Sequence, residues 1–449
     1  MTRHSALLGF LLAVLLATAS AGRAHDSLPP LNGHPVPRTL DELWGAYDPR
    51  SEPLDAETLE AWEQDGITCR VIRYRIGTFK GTASSIVGFY CFPKGGTKLP
   101  ALLQIHGGGQ SASFDAALTD AKNGYASLSL NWGGNKLNVG KAKVAYDGPN
   151  TDWGALDATH PQQRNKNHHF AGPLTPDDYT LDPVESPRNS NWFIVVLAAR
   201  RGLTFLEQQP EVDPERIGVY GHSMGGKLTT NLAGIDGRVK VAVPSCGGGG
   251  VILEDQADLP GCVKSRQTDL ELACIADNPY LARLSCSILW LSPTNDFHTA
   301  IDNMAVNWAR LPDDRVRFSI APHFNHRHTD EHAVTQYLWF EQYLKGGFTM
   351  PKTPGLTVLL NTNNDVHRIH GYARDRARAA GPPSCPPRRH DHRLGNPPSK
   401  LSARKTRESQ SCRPTCVPIS WLASCGRPRH EVPNLFSTHL LHMGSHGAA

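Results

Sequence analysis

Short apolar segments recur through the middle of the chain and alternate with segments of helical periodicity. Residues Thr68–Arg75 and Ser84–Phe92 are alternating or continuously apolar, and they predict an antiparallel start to a sheet. The brief apolar runs downstream predict strands buried on both faces, as in a mainly parallel sheet with crossover helices. These runs are Ala101–Ile105, Ala126–Asn131, Ile217–Tyr220, Val239–Pro244, Ser287–Ser292 and Val316–Ala321. The pattern therefore predicts an α/β fold.

Helical periodicity is clearest in Asn191–Gln208, and Glu331–Leu344 presents a second broad apolar face. A further helix is predicted around Leu54–Gln64. Residues 133–190 differ from their surroundings, because they are polar and rich in Gly, Asn, Asp and Pro. An irregular segment of this length inside a domain is usually functional or disordered. We expect it to form a cap or rim over a functional site.

The N-terminus resembles an export signal. Basic residues near the start precede the apolar run Ala6–Ala17, which is too short for a typical membrane span. Small residues then offer cleavage near Ala21 or Ala24, so residues 1–24 are predicted to be a signal peptide. No later run reaches spanning length, and we expect a secreted or periplasmic protein without stable membrane insertion. Residues 25–64 form a Pro-rich lead-in to the main domain.

The composition changes after Asp365, which ends the predicted catalytic domain 65–365. Residues 366–449 contain 14 of the 46 Lys and Arg residues but 4 of the 42 Asp and Glu residues. Pro, Ser, His and Cys are scattered among these charges without a hydrophobic period, so the segment is predicted to be a low-order basic tail. Two hypotheses remain open: a natural disordered tail, or out-of-frame translation. Neither an amphipathic basic face nor interleaved aromatic residues appear, so no nucleic-acid partner is predicted.

Export permits disulfide bonds, and six cysteines precede residue 366. Cys69 with Cys91 and Cys262 with Cys274 are the pairs that we expect, although sequence alone does not fix connectivity. No Cys-x-x-Cys motif occurs, which argues against a zinc ribbon or a thioredoxin-type redox site.

Residues 221–225, Gly-His-Ser-Met-Gly, match the pattern G-x-S-x-G. The pattern alone is weak, but here it follows a predicted buried strand and precedes a segment that predicts a helix. That is the strand–turn–helix setting in which a serine nucleophile lies on a strained turn, the nucleophile elbow of α/β-hydrolases. The flanking glycines relieve crowding where the backbone bends. Ser223 is therefore the predicted nucleophile.

A serine hydroxyl needs a base, and an acid to orient that base. In the α/β-hydrolase order the acid and then the histidine follow the serine along the chain. Asp296 lies just past the predicted strand Ser287–Ser292 and is the predicted acid, with Asp302 a weaker candidate. His326 follows the next strand and is the predicted base, with His328 as the alternative.

The oxyanion of acyl transfer needs fixed hydrogen-bond donors. The first is predicted to be the backbone N–H of Met224, directly after the nucleophile. The glycine-rich segment after strand Ala101–Ile105 would supply the second from Gly108 or Gly109. No dinucleotide-binding fingerprint occurs, and no cofactor is predicted. Several histidines cluster near His326, but they lack His-Glu-x-x-His spacing and a third ligand, so no metal is predicted.

Taken together, these motifs resemble exported acetylxylan-esterase-like and dienelactone-hydrolase-like proteins of the α/β-hydrolase superfamily. The resemblance covers about residues 65–365. It rests on His106–Gly109, Asn150–Ala155, Ser186–Trp192, Gly221–Gly226, Val243–Gly248 and Asn325–Thr329. Two departures are visible: Met224 stands where such deacetylases often have Gln, and Ser223 stands where dienelactone hydrolases have Cys. The resemblance implies hydrolysis of carboxylic esters, with short acyl groups on polysaccharide as the substrate.

The predicted protein is therefore a serine ester hydrolase that acts on a small ester or an acylated polysaccharide. Two alternatives stay open. A peptidase of the same fold shares the serine motif, but such enzymes usually carry a propeller domain, and no blade-length repeat precedes residue 99. A non-catalytic carbohydrate-binding protein on a hydrolase scaffold is the other, although all three triad residue types occur in the expected order.

Overall fold

The computed structural model describes most of the chain between residues 25 and 372. The described ranges are 25–139, 144–160, 174–251, 267–308, 311, 315–351, 355–359 and 368–372. Within them, no helix is both long enough and apolar enough to cross a membrane. The predicted signal peptide, Cys262 and residues 366–367 and 373–449 of the predicted tail lie outside the described residues.

One sheet of nine strands forms the centre of the described structure. The strands are β1 (Glu57–Gln64), β2 (Ile67–Phe79), β3 (Thr82–Pro93), β4 (Leu99–Ile105), β5 (Ala126–Leu130), β8 (Val212–His222), β9 (Val239–Ser245), β10 (Ser287–Pro293) and β11 (Val316–Ala321). They lie side by side in the order β1-β2-β3-β5-β4-β8-β9-β10-β11. The pairs β1/β2, β2/β3 and β3/β5 are antiparallel, and every later pair is parallel, as the apolar runs predicted. Two short strands, β6 (Asn138–Val139) and β7 (Val144–Ala145), form a separate hairpin.

The helix predicted around Leu54–Gln64 is wrong, because this segment forms the exposed edge strand β1. Asp65 and Gly66 both have positive φ, 53° and 76°, and Gln64 pairs directly with Ile67. This is a two-residue hairpin turn, for which Asp-Gly is a favoured sequence. The turn and the pairing with β2 therefore override the local helical pattern.

Helices connect the strands. They are α1 (Leu40–Trp44), α2 (Phe114–Lys122), α3 (Asn191–Glu207), α4 (Met224–Ile235), α5 (Asp269–Cys274), α6 (Asp277–Leu281), α7 (Ile301–Trp308) and α8 (Asp330–Phe340), and α8 continues as a π-helical turn over Glu341–Lys345. The helices predicted at Asn191–Gln208 and Glu331–Leu344 are thus present.

Alternate residues of the central strands enter different cores, which shows that helices cover both faces of the sheet. In β4, Leu103 packs in a cluster with α3 residues such as Leu197. Its neighbour Leu102 packs in another cluster, with Trp339 and Phe340 from the end of α8. Because successive side chains of a strand point to opposite faces, this division follows directly from the pleat.

The strands β12 (Gly355–Leu359) and β13 (Arg368–Tyr372) form an antiparallel hairpin in a second compact unit of the chain. The second of these strands falls at the start of the predicted tail, so residues 368–372 have regular structure.

Cys69 and Cys91 are directly opposed on β2 and β3, but both are free thiols in this structure, so the expected disulfide bond is absent. Both are fully buried in the sheet. Cys274 is also a free thiol, and its expected partner lies outside the described residues.

Candidate active site

Ser223 lies between the end of β8 and the first residue of α4, at the carboxyl edge of the parallel strands. Its backbone has φ 60° and ψ −119°, a conformation that residues with a side chain rarely adopt. Its N–H donates to the carbonyl of Ser245 at 2.7 Å, and its carbonyl accepts from Gly226 N–H at 2.9 Å. Strain of this kind costs on the order of 1–3 kcal/mol and persists where the surroundings enforce it.

Glycines make this turn sterically possible. A Cβ at Gly221 would lie 2.5 Å from the carbonyl oxygen of Ile105, and a Cβ at Gly225 would come closer still to the same oxygen. A Cβ at Gly226 would lie 2.6 Å from the carbonyl oxygen of Ser245. The glycines of the motif therefore let strand, turn and helix approach each other closely, as the sequence pattern predicts.

Asp296 follows β10, and its side chain is inaccessible to solvent. One carboxylate oxygen accepts hydrogen bonds from the backbone N–H groups of His298 at 2.7 Å and Thr299 at 2.6 Å. The other oxygen lies 2.7 Å from His326 Nδ1. Burial raises the pKa of Asp296, but the hydrogen bonds from Thr299, His326, Cys246 and His298 outweigh it and leave the pKa below its ordinary value. Asp296 is therefore ionised at neutral pH.

His326 bridges the acid and the serine. Its Nε2 lies 2.7 Å from Ser223 Oγ, and its Nδ1 faces Asp296, while 17 % of its side chain is exposed. Two residues of the preceding loop, His323 and Asn325, have positive φ of 57° and 53°. Their N–H groups donate to the side chains of Thr294 at 3.1 Å and Asn295 at 2.8 Å. The loop after β11 is thereby attached to the loop after β10.

The alternatives from the sequence lie elsewhere. The exposed His328 makes a ring contact with His332, with 5.6 Å between centroids, whereas His326 is the histidine within hydrogen-bond distance of Ser223. Asp302 lies in α7, and Asp296 is the carboxylate that contacts the imidazole.

Two uncharged side chains lie beside the imidazole and its carboxylate partner. The His222 ring lies 4.9 Å from the His326 ring, and burial lowers the pKa of His222 to about 4. Burial also raises the pKa of the Cys246 thiol, and the nearby carboxylate of Asp296 adds to this shift. Both side chains are thus uncharged at neutral pH, so His222 does not oppose a positive charge on His326.

A glycine-rich loop after β4 borders the serine on the other side. His106 is fully buried, its ring stacks on Trp132 at 5.1 Å, and its Nε2 accepts from the Trp132 N–H at 3.1 Å. Its Nδ1 therefore carries the proton and donates to the carbonyl of Gly107 at 2.7 Å. The Gly107 carbonyl and the Gly108 N–H belong to the same trans peptide group, in which C=O and N–H point in opposite directions. The bond to His106 therefore directs the N–H of Gly108 away from His106.

Gly108 and Gly109 occupy positions that a side chain would disturb. A Cβ at Gly108 would lie 2.6 Å from His160 Nε2 and closer still to Met224 Sδ. Gly109 has φ 69°, in the left-handed region that favours glycine. The N–H of Met224 opens α4, where intrahelical acceptors are lacking. The structure therefore brings Met224 next to the glycine loop.

Three side chains at this site could hold a metal ion. Potential ligand atoms of His222, Cys246 and His326 lie within 4.8 Å of one another. Imidazole and thiolate suit Zn²⁺. Because both ring nitrogens of His326 already face Ser223 and Asp296, a metal bound there would compete with these hydrogen bonds.

Several groups at the site were not predicted from sequence. His160 beside Gly108 comes from the predicted cap or rim segment, and Phe297 contacts the His326 ring with 4.5 Å between centroids. His222 at the end of β8 contacts His326, and Cys246 directly after β9 lies close to Asp296. Their positions next to the motif serine and next to the run of glycines at 247–250 were the available signals.

One family model and several solved structures match this chain. Residues 33–246 match the family model described as acetyl xylan esterase (AXE1). Acetyl xylan esterase 1 from Thermoanaerobacterium sp. JW/SL YS485 superposes with a TM-score of 0.50 at 18% identity, covering 69% of this chain and 95% of that one. An acetyl xylan esterase from Paenibacillus sp. R4 has a TM-score of 0.48 at 20% identity, covering 66% and 91%.

Curated relatives match over short segments. The thiohydrolase apmlB of Arthrinium phaeospermum is 43% identical over 44 residues, which are 10% of this chain and 14% of that protein. The chain matches less than a fifth of the length of each of two curated relatives.

Proposed function

We propose that this chain, a member of the α/β-hydrolase superfamily whose residues 33–246 match the acetyl xylan esterase family model, is a serine carboxylic ester hydrolase that removes short acyl groups from polysaccharide. The fold positions the site at the carboxyl ends of parallel strands, where α/β enzymes gather reactive groups. The family match supports a carbohydrate ester as the substrate. The proposed catalytic residues are Ser223, His326 and Asp296.

The single observation that carries this proposal is the continuous hydrogen-bonded arrangement from Asp296 through His326 to Ser223, with both distances at 2.7 Å. In the first step, His326 Nε2 takes the hydroxyl proton while Ser223 Oγ attacks the ester carbonyl carbon. Ionised Asp296 holds the tautomer with the proton on Nδ1 and stabilises the imidazolium that forms. The alcohol then leaves with the proton from His326, which leaves an acyl group on the serine.

Water completes the cycle. His326 removes a proton from the water, the resulting nucleophile attacks the acyl-serine, and the carboxylic acid departs as Ser223 regains its proton. In both steps the oxyanion accepts from the N–H of Met224 and from the N–H of Gly108 or Gly109. The N-terminal end of α4 adds a favourable dipole at the position where negative charge develops. The cycle uses no cofactor and no metal.

Residues 1–24 fit an export signal, and an enzyme that acts on large extracellular polysaccharide must leave the cytoplasm. We therefore place this chain outside the cytoplasmic membrane. N-terminal sequencing of the protein recovered from culture medium or periplasm should begin at Gly22 or His25. Recovery of cell-bound protein that still carries Met1 would contradict export.

Substitution of the serine tests the chemistry. Ser223→Ala should abolish turnover of p-nitrophenyl acetate and labelling by a fluorophosphonate probe, because both need the same nucleophile. The matched control is Ser51→Ala, since Ser51 is an exposed serine whose hydroxyl donates to the carbonyl of Asp48. Substantial activity in Ser223→Ala would refute the assignment. An unlabelled wild-type protein would instead support the non-catalytic binding protein.

The substrate class is tested separately on wild-type enzyme. Acetate release from acetylated xylan is compared with hydrolysis of feruloyl and methyl-glucuronoyl esters and of an acyl-peptide. We expect acetylated xylan to have the highest kcat/KM. A preference for the acyl-peptide would favour a peptidase.

A further inference from the structure

Two exposed phenylalanine rings lie on the loops that carry Asp296 and His326. Among the residues that the structure describes, the large apolar side chains with high exposure are Val184 at 41 %, Phe297 at 75 %, Phe324 at 49 % and Val334 at 55 %. Both aromatic members of this set belong to the loops that carry the proposed acid and base. Phe297 directly follows Asp296, and Phe324 precedes His326 by two residues. Covering such rings with a bound ligand would be favourable, because it removes apolar surface from water.

The loop backbone holds Phe324 in its exposed position. Its two neighbours, His323 and Asn325, both have positive φ, which is uncommon for residues other than glycine. Hydrogen bonds to Thr294 and Asn295 hold this conformation, so the ring is presented by a strained turn with fixed anchors. Strain that the surroundings enforce is concentrated at functional sites.

Phe297 lies directly beside the reacting groups. Its ring contacts the His326 ring with 4.5 Å between centroids and 45° between planes. Three-quarters of the residue is nevertheless exposed, so the contact covers only a small part of the ring. A molecule bound at Ser223 would therefore meet an open aromatic surface on the side of His326.

We propose that Phe297 and Phe324 form a sugar-binding subsite on which a pyranose ring of the acylated polysaccharide packs while its acyl group is attacked by Ser223. A pyranose presents an apolar C–H face, and its hydroxyl groups project from the ring edge, where they remain hydrated. Packing that face on phenylalanine buries apolar area without desolvating the hydroxyls. An acetyl group is too small to cover two phenylalanine rings, so the alcohol portion of the ester is the occupant that fits.

This subsite rests on the proposed function, and it is tested with three esters. Acetylated xylo-oligosaccharide contains the sugar, ethyl acetate has neither a ring nor a long acyl chain, and ethyl octanoate has a long acyl chain. The readout is the ratio of kcat/KM for the oligosaccharide to kcat/KM for ethyl acetate, with KM and kcat resolved. The variants are Phe297→Ala and Phe324→Ala, and Phe297→Tyr retains a ring. Val334→Ala is the control for loss of an exposed apolar side chain.

We expect the ratio to fall about tenfold in each alanine variant, mainly through a higher KM, and Phe297→Tyr to recover most of it. Val334→Ala should leave the ratio unchanged. Melting temperatures measured in parallel identify any variant that has lost its fold. If one of the two alanine variants does not fold, the other is used for the comparison.

Three outcomes would overturn the subsite. Equal losses on the oligosaccharide and on ethyl acetate would mean that Phe297 only positions His326. A loss confined to ethyl octanoate would make the rings an acyl-chain surface, and unchanged ratios in both alanine variants would exclude any contact with the sugar. Failure of the proposed substrate class is distinguishable, because wild-type enzyme would then hydrolyse ethyl acetate but not the oligosaccharide.

Discussion

Replacing Asp296 by asparagine tests the proposed mechanism at its most specific point. One oxygen of this carboxylate accepts the N–H groups of His298 and Thr299, and the other faces His326 Nδ1. Asparagine has a single side-chain oxygen, and we expect the two backbone N–H groups to keep it in the position of the oxygen that they bind in the wild type. Its NH₂ group then faces Nδ1 and can only donate.

This substitution exchanges the donor and acceptor roles of the two imidazole nitrogens of His326. Nδ1 of His326 must accept from the new amide, so its proton moves to Nε2 and points at Ser223 Oγ. The ring can no longer take the serine proton. Loss of the correct tautomer in a triad of this type lowers kcat by about 10⁴, which corresponds to about 5.5 kcal/mol of transition-state stabilisation.

Stability should change far less. The backbone bonds to the asparagine oxygen persist, and loss of the charge is offset in part by a smaller desolvation penalty. We expect the free energy of unfolding at pH 7 to fall by about 1–2 kcal/mol. The wild-type carboxyl has a lowered pKa, so its contribution to stability is present above its ordinary pKa of 3.8 and is lost as the pH falls through the folded value.

The assay is kcat and KM for p-nitrophenyl acetate, with thermal unfolding as a check of the fold. Asp302→Asn is the matched control, since Asp302 is the other carboxylate that the sequence offers after β10. We expect a kcat lower by about 10⁴ in Asp296→Asn with KM nearly unchanged, and wild-type kinetics in the control. A folded Asp296→Asn enzyme with kcat within tenfold of wild type would refute the tautomer argument. A severe loss of kcat in Asp302→Asn would mean that Asp302, and not Asp296, is the acid.

Two further predictions concern the glycine loop and a buried carboxyl. Gly108→Ala should lower kcat/KM by about 10–100-fold, because the new methyl group must displace Met224 Sδ beside the proposed oxyanion donors. Gly237→Ala is the control, since its methyl group would enter open space, and it should match wild type. Equal activity of the two variants would contradict the predicted donor loop. Burial raises the pKa of Asp120 to about 6, although hydrogen bonds from Ser127 and two tyrosines oppose the shift. The unfolded chain therefore releases this proton first, and the free energy of unfolding should decrease by about 3 kcal/mol between about pH 4 and pH 6 and then stay level. In urea denaturation across this range, the free energy of unfolding of Asp120→Asn should no longer decrease with pH. An equal decrease in the wild type and the variant would exclude Asp120 as its cause.

Much of the fold was predictable from local pattern. Continuous apolar runs identified β4, β5 and β8–β11, because strands covered on both faces need apolar residues at nearly every position. The motif around Ser223 was recognisable for a steric reason: the turn has no room for side chains at Gly221 and Gly225. Chain order then placed candidate acids and bases after the later strands.

Other features depended on partners distant in the chain. The segment predicted as a helix at Leu54–Gln64 is a strand because it pairs with β2 through the Asp65–Gly66 turn. Its own residues are largely exposed, so burial does not impose a strand pattern on them. Hairpin pairing therefore outweighed a weak local preference.

The choice between His326 and His328 was likewise made by tertiary structure. Both follow β11 within a few residues, and composition does not separate them. Backbone N–H groups of the loop after β11 donate hydrogen bonds to side chains of the loop after β10. These bonds fix the path of the loop after β11 so that His326 reaches Ser223. The sequence by itself determined the order of the strands' apolar runs and the steric demand at the serine turn, because both are properties of neighbouring residues. Only the tertiary structure decided which imidazole meets the serine and that Phe297 lies open beside it, because both depend on contacts between loops far apart in the chain.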